Sequence, residues 1–95
     1  MIALAAIITC GPRDRALVES LLPEHIRLTR QEPGCLLFQV VPDRCDPDRL
    51  LVAERFVDGA AFAAHQARTA NSSWGRATQH LKRAYQVTET TDPAG

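Results

Sequence analysis

The sequence predicts a small α+β domain whose elements run β-α-β-β-α-α-β, with an antiparallel sheet and its helices on one face. Three observations carry this. Ile2 to Cys10 and Cys35 to Val41 are short runs apolar on both faces, as strands covered on two sides are. Leu17, Val18, Leu21, Leu22, Ile26 and Thr29 recur at helical spacing between them. Glycine, proline and short polar clusters punctuate the chain where elements should change.

In the first strand, Ile2, Leu4, Ala6, Ile8 and Cys10 alternate with Ala3, Ala5, Ile7 and Thr9. Gly11 and Pro12 break it, and Pro12 suits the first turn of the long helix that follows. Pro23 removes one backbone donor, so the helix is expected to kink there or to restart after Leu22. Glu32-Pro33-Gly34 stops it, and the second strand carries Leu36, Leu37, Phe38, Val40 and Val41. The polar loop Pro42 to Asp48 then joins it to a third strand, Arg49 to Val57, as an antiparallel hairpin.

Asp58 is placed to cap a helix through Ala60, Ala61, Phe62 and His65, and Asn71-Ser72-Ser73 to cap another holding Trp74, Ala77, Thr78 and Leu81. Ala84 to Glu89 reads as the last strand. Residues 1–90 are expected to form one domain and 91–95 a polar C-terminal tail, with no repeat or linker between.

Composition removes several functions. The 95 residues carry eleven basic and eleven acidic side chains for a formal net charge of +0, without the basic stripe that nucleic acid or an anionic membrane would require. Met1 to Cys10 lacks the positive start and small-residue cleavage site of a secretory leader and is too short to span a bilayer. Cys10, Cys35 and Cys45 are an odd set with no CxxC spacing, the pattern of reduced thiols and not of a disulfide framework or zinc site. A cytoplasmic location without bound metal is the expectation. A chain this short, 45% hydrophobic, leaves much surface exposed when folded alone, and burial against a partner is expected.

Two blocks resemble a known family. One is Glu32-Pro33-Gly34-Cys35-Leu36 leading into a strand; the other runs from Leu51-Val52-Ala53-Glu54-Arg55-Phe56-Val57-Asp58 to Ala60-Ala61-Phe62-Ala63-Ala64-His65. The second is the more specific, with a carboxylate inside a strand, an aromatic two positions on, a capping Asp, and a His seven residues beyond that. In their order and separation they resemble the antibiotic biosynthesis monooxygenase family. The resemblance implies a ferredoxin-like four-stranded sheet that pairs sheet to sheet with a second copy as a dimeric α+β barrel. Many members are quinol or polyketide-phenol monooxygenases needing neither metal nor flavin, others degrade haem, and some have no known activity, so the family's name does not fix the chemistry.

Oxygenation without a cofactor requires a substrate that reduces O₂ once deprotonated, hence a base, hydrogen-bond donors and an apolar pocket. His65 is the first candidate base, and Arg68 one turn on would stabilise the anion. Asn71 and Trp74 lie where two helices meet and offer an amide and an indole N–H beside a flat apolar surface. Glu54 sits mid-strand, where a carboxylate must be paired, hydrogen-bonded or neutral. Phe62 and Tyr85 complete the expected contacts with a small aromatic substrate, Tyr85 donating from the last strand. Each has a purely structural alternative: a loop or dimer contact for His65, a helix cap for Asn71, a core anchor for Trp74, a structural acceptor for Glu54.

Haem degradation fits poorly. In this family it is associated with an asparagine on the first strand, and Ile2 to Cys10 has none; Trp74 and His80 stand about 240° apart around a helix. His80 is expected at the surface. The sequence thus leaves two readings, a cofactor-independent monooxygenase acting on a small hydroquinone or phenolic polyketide, or a non-catalytic module that binds a small aromatic ligand or mediates dimerisation. The second gains weight where several members carry a further His after the threonine that follows the first, because here Thr69 leads into Ala70 and Asn71. The enzymatic reading requires His65, Asn71 and Trp74 to converge on one cavity between sheet and helices.

Overall fold

The computed structural model describes residues 1–89, and the tail expected over 91–95 lies outside them. The order is β1 (Ile2–Thr9), α1 (Pro12–Arg30), β2 (Cys35–Pro42), β3 (Arg49–Phe56), α2 (Gly59–Ala70), α3 (Ser73–Thr78) and β4 (Lys82–Glu89). The four strands form one antiparallel sheet in the order β2-β3-β1-β4. β1 is central because it is the most apolar strand, and it opposes Glu54 and Val87 at Leu4, and Val52 and Tyr85 at Ala6.

Pro23 neither kinks nor restarts the long helix; α1 is continuous from Pro12 to Arg30. The proline deprives only the Glu19 carbonyl of its partner, and both residues face solvent, where water replaces the lost bond. Meanwhile Val18, His25 and Thr29 bury the opposite stripe and hold the helix to the sheet. Its end is fixed by Arg30, which donates from Nε (3.1 Å) and Nη2 (2.9 Å) to the Phe38 carbonyl. Gly34 then turns the chain at φ 87°, and a Cβ there would lie 2.7 Å from the Ala61 Cβ, so both conformation and space require glycine.

Both helix starts follow local chemistry. Asp58 accepts from the Ala61 N–H at 2.8 Å, and Ser72 from the Gly75 N–H at 3.0 Å. Gly75 brings α3 so close to α2 that a Cβ would sit 1.9 Å from the Thr69 carbonyl oxygen. The helices cover one sheet face, where Leu4, Ala6, Ile8, Phe38, Val52 and Trp74 form the core.

The other face carries Ala3, Ala5, Ile7, Leu51, Ala53 and Val41, and no helix of the described residues lies over it. Ile7 and Leu51 are each 37% exposed and Val41 48%, an apolar patch from the two-faced strands of the sequence. Among the described residues no helix is long and apolar enough to cross a membrane.

Candidate functional site

Between the helices and the covered sheet face lies a cavity of about 380 Å³, the size class of sites for small molecules. Its floor is apolar, from Leu4, Ala6 and Val52, and aromatic side chains of Phe38, Phe62 and Trp74 form its walls. Glu54 and His65 face it from β3 and α2, and Tyr85, 60% exposed, stands where the sheet emerges from under the helices.

His65 is the electrostatic centre. Its Nδ1 lies 2.9 and 3.2 Å from the two carboxylate oxygens of Glu32, and its Nε2 lies 3.3 Å from Glu54 Oε1. The second approach is within range of the charge but off the line a hydrogen bond needs, and Oε1 is buried without a completed one. Burial alone would lower the imidazole's affinity for a proton. The contact with Glu54, then that with Glu32, outweighs burial and raises the pKa above the ordinary 6.5. A proton carried on Nε2 would face the buried Oε1 of Glu54.

Glu32 is held in turn by the Arg68 Nε, and Arg68 Nη2 donates to Thr29 Oγ1 at 2.9 Å. The array runs Glu54, His65, Glu32, Arg68, Thr29 across β3, α2, α1 and the turn that follows α1. Arg68 therefore stands behind Glu32 and neutralises it, instead of reaching a substrate in the cavity.

Of the three residues the enzymatic reading required to converge, His65 and Trp74 do and Asn71 does not, so that requirement is not met and any chemistry here must rest on His65 and its carboxylate partners without the Asn71 amide. Asn71 ends α2, is exposed, and donates from Nδ2 to the Ala67 carbonyl at 3.0 Å, so its amide serves the helix end. Phe62 and Tyr85 line the cavity as expected, and Glu54 is 8% exposed with His65 as its partner. His80 is exposed and 3.0 Å from Asp14 Oδ1, far from any shared ligand with Trp74.

Four lining residues or supports escaped the sequence reading. Glu32 was read only as part of a helix stop, and nothing local connects it to a histidine 33 positions on. His25 falls four residues before Thr29 and four after Leu21, on the buried stripe of α1, a spacing that could have revealed it. Arg83 lines the cavity and donates to the Thr78 carbonyl (2.6 Å) and Oγ1 (2.8 Å), and Gln66 adds an amide. Among residues 1–89 no cluster of three or more His, Cys, Asp or Glu side chains could hold a metal ion.

Comparison with known proteins agrees with this architecture. No curated protein matches the sequence significantly. A Deinococcus radiodurans protein whose crystal structure bears the name antibiotic biosynthesis monooxygenase superposes with a TM-score of 0.84 at 23% identity, covering 100% of this chain and 97% of its own. Rv0793 from Mycobacterium tuberculosis gives 0.76 at 26% identity, with 99% and 98% covered. SnoaB, a cofactor-independent oxygenase from Streptomyces nogalater, gives 0.78 at 13% identity, with 97% and 94% covered. The sequence pattern of the family described as antibiotic biosynthesis monooxygenase matches residues 1–87, nearly the whole of the described fold. The chain belongs to the antibiotic biosynthesis monooxygenase family.

Proposed function

We propose that the protein is a cofactor-independent monooxygenase acting on a small hydroquinone or phenolic polyketide. The observation that carries this is His65, a buried imidazole locked at Nδ1 by Glu32 and facing Glu54 and an open apolar cavity with Nε2. Glu32 fixes the Nδ1–H tautomer, so Nε2 is the proton acceptor, and Glu54 stabilises the imidazolium that results. The substrate anion, held among Trp74, Phe62 and Tyr85 on the apolar lining, supplies the electrons to O₂ itself. One oxygen atom enters the ring and the other leaves as water, with the hydroquinone oxidised to a hydroxyquinone.

Oxygen uptake with a panel of hydroquinones tests this. His65→Ala is expected to lower the rate at least about 100-fold, and uptake unaffected by the substitution would remove His65 from the reaction. In the intact protein the rate should rise with pH through a value above 6.5, because the carboxylates keep the proton on His65 until then. Glu54→Gln should move that limb to lower pH.

The functional unit we propose is a homodimer formed by packing the bare sheet faces together, supported by the apolar patch of Ile7, Leu51 and Val41. Light scattering at micromolar concentration should return twice the chain mass, and Leu51→Lys should shift it to the monomer.

A further inference from the structure

His25 fills no evident structural need. Its ring lies flat on Trp74, with centroids 4.8 Å apart and planes 7° from parallel, and meets Phe38 edge-on at 5.3 Å. A phenyl ring would make the same contacts without carrying polar atoms into an apolar wall. The residue is 5% exposed, yet none of the described hydrogen bonds uses either ring nitrogen. Nδ1 is sealed from solvent without a partner, whereas Nε2 is neither sealed nor bonded, and the ring is part of the cavity lining. With Nδ1 sealed, Nε2 is the ring nitrogen that a ligand in the cavity can partner, and it has no protein partner of its own among the described residues.

Resting on the monooxygenase reading above, we infer that His25 is a substrate-binding residue whose Nε2 hydrogen-bonds a second oxygen substituent of the aromatic ring, apart from the hydroxyl that gives its proton to His65. The substrate class is thereby narrowed from phenols in general to rings bearing two oxygens, of which hydroquinones are the simplest. The two imidazoles lie with centroids 6.3 Å apart along the same cavity wall, which puts both within reach of one such ring. They also differ in kind. Burial first, then the positive charges of Arg68, His65 and Arg83, push the His25 pKa down to about 3, so it is a neutral hydrogen-bonding group at every physiological pH. A hydroxyl or carbonyl oxygen is the partner such a group suits, and a second anionic group is not.

Trp74 is the only tryptophan of the chain, so its emission reports binding beside His25. Anaerobic titration with hydroquinone and with phenol separates binding from turnover. The intact protein should prefer hydroquinone by about tenfold, the worth of one buried hydrogen bond. His25→Phe keeps the stack on Trp74 and should abolish that preference with the affinity for phenol unchanged. Equal weakening of both ligands, or a preference that survives the substitution, would overturn the proposal. Where His25→Phe does not fold, the intact protein suffices: hydroquinone, but not phenol, should displace the ¹⁵N resonance of His25 Nε2, and identical responses to both ligands would overturn it. A protein that shows this preference without consuming oxygen would sink the monooxygenase reading and leave the binding role standing.

Discussion

The two ends of one cavity wall hold the same side chain in opposite states. His25 and His65 are buried alike, at 5% and 6% exposed, and their rings are neighbours, yet His65 binds its proton more tightly than an ordinary histidine and His25 far less. Burial therefore does not decide the outcome. At the His65 end two carboxylates flank the ring; at the His25 end there are aromatic faces and, further off, positive charges. Burial pushes both rings downward and is the largest cause at His25, where the neighbouring positive charges add to it; at His65 the two carboxylates reverse its sign.

The largest test of the contrast removes Glu32, which stands between His65 and Arg68. Glu32→Ala leaves a guanidinium only 29% exposed without its counter-charge. We expect a loss of about 3 kcal/mol in urea unfolding, at the lower end for a broken buried pair because Arg68 keeps some water. The same variant should bring the His65 pKa down.

A second effect, of comparable size, comes from pH. His25 is neutral when folded down to about pH 3 but takes up a proton below about 6.5 when unfolded, so it costs stability as pH falls through that window. The expected slope is about 1.4 kcal/mol per pH unit, and His25→Phe should remove it from denaturation curves collected between pH 4 and 6.5. His65 has the reverse sign. Its raised pKa contributes stability that is complete below 6.5 and is lost as pH rises through the folded value, so His65→Ala should flatten the alkaline side instead.

The smallest effect is at Asn71, whose side chain touches neither histidine. Asn71→Ala should change stability by less than about 0.5 kcal/mol and oxygen uptake by less than twofold. A large loss of uptake would return the amide to the site.

What the sequence made legible was whatever is decided within a few residues. Asp58 and Ser72 cap their helices because an oxygen three positions before an N–H finds it by local geometry alone. Glu54 announced itself as a carboxylate that must have a partner, since its strand neighbours are apolar. That the partner is His65, and that Glu32 locks the same ring, depends on where the end of α1 settles against α2, which no spacing encodes. Asn71 failed as a candidate for a similar reason: proximity in sequence to Trp74 said nothing about which side of the helix junction its amide would take. Pro23 shows the converse, a local rule overridden because the orphaned carbonyl happens to face water.

The absent side chain of Gly75 bears on how ligands come and go. With the α3 backbone pressed against the Thr69 carbonyl, the two short helices have no slack between them and form a fixed roof. The sheet is left uncovered at β4, where Tyr85 and Val87 are 60% and 52% exposed on the face that continues into the cavity. The open approach to the cavity is therefore the β4 margin beside Tyr85, and a small molecule taking it would meet one exposed aromatic side chain and not a packed helix.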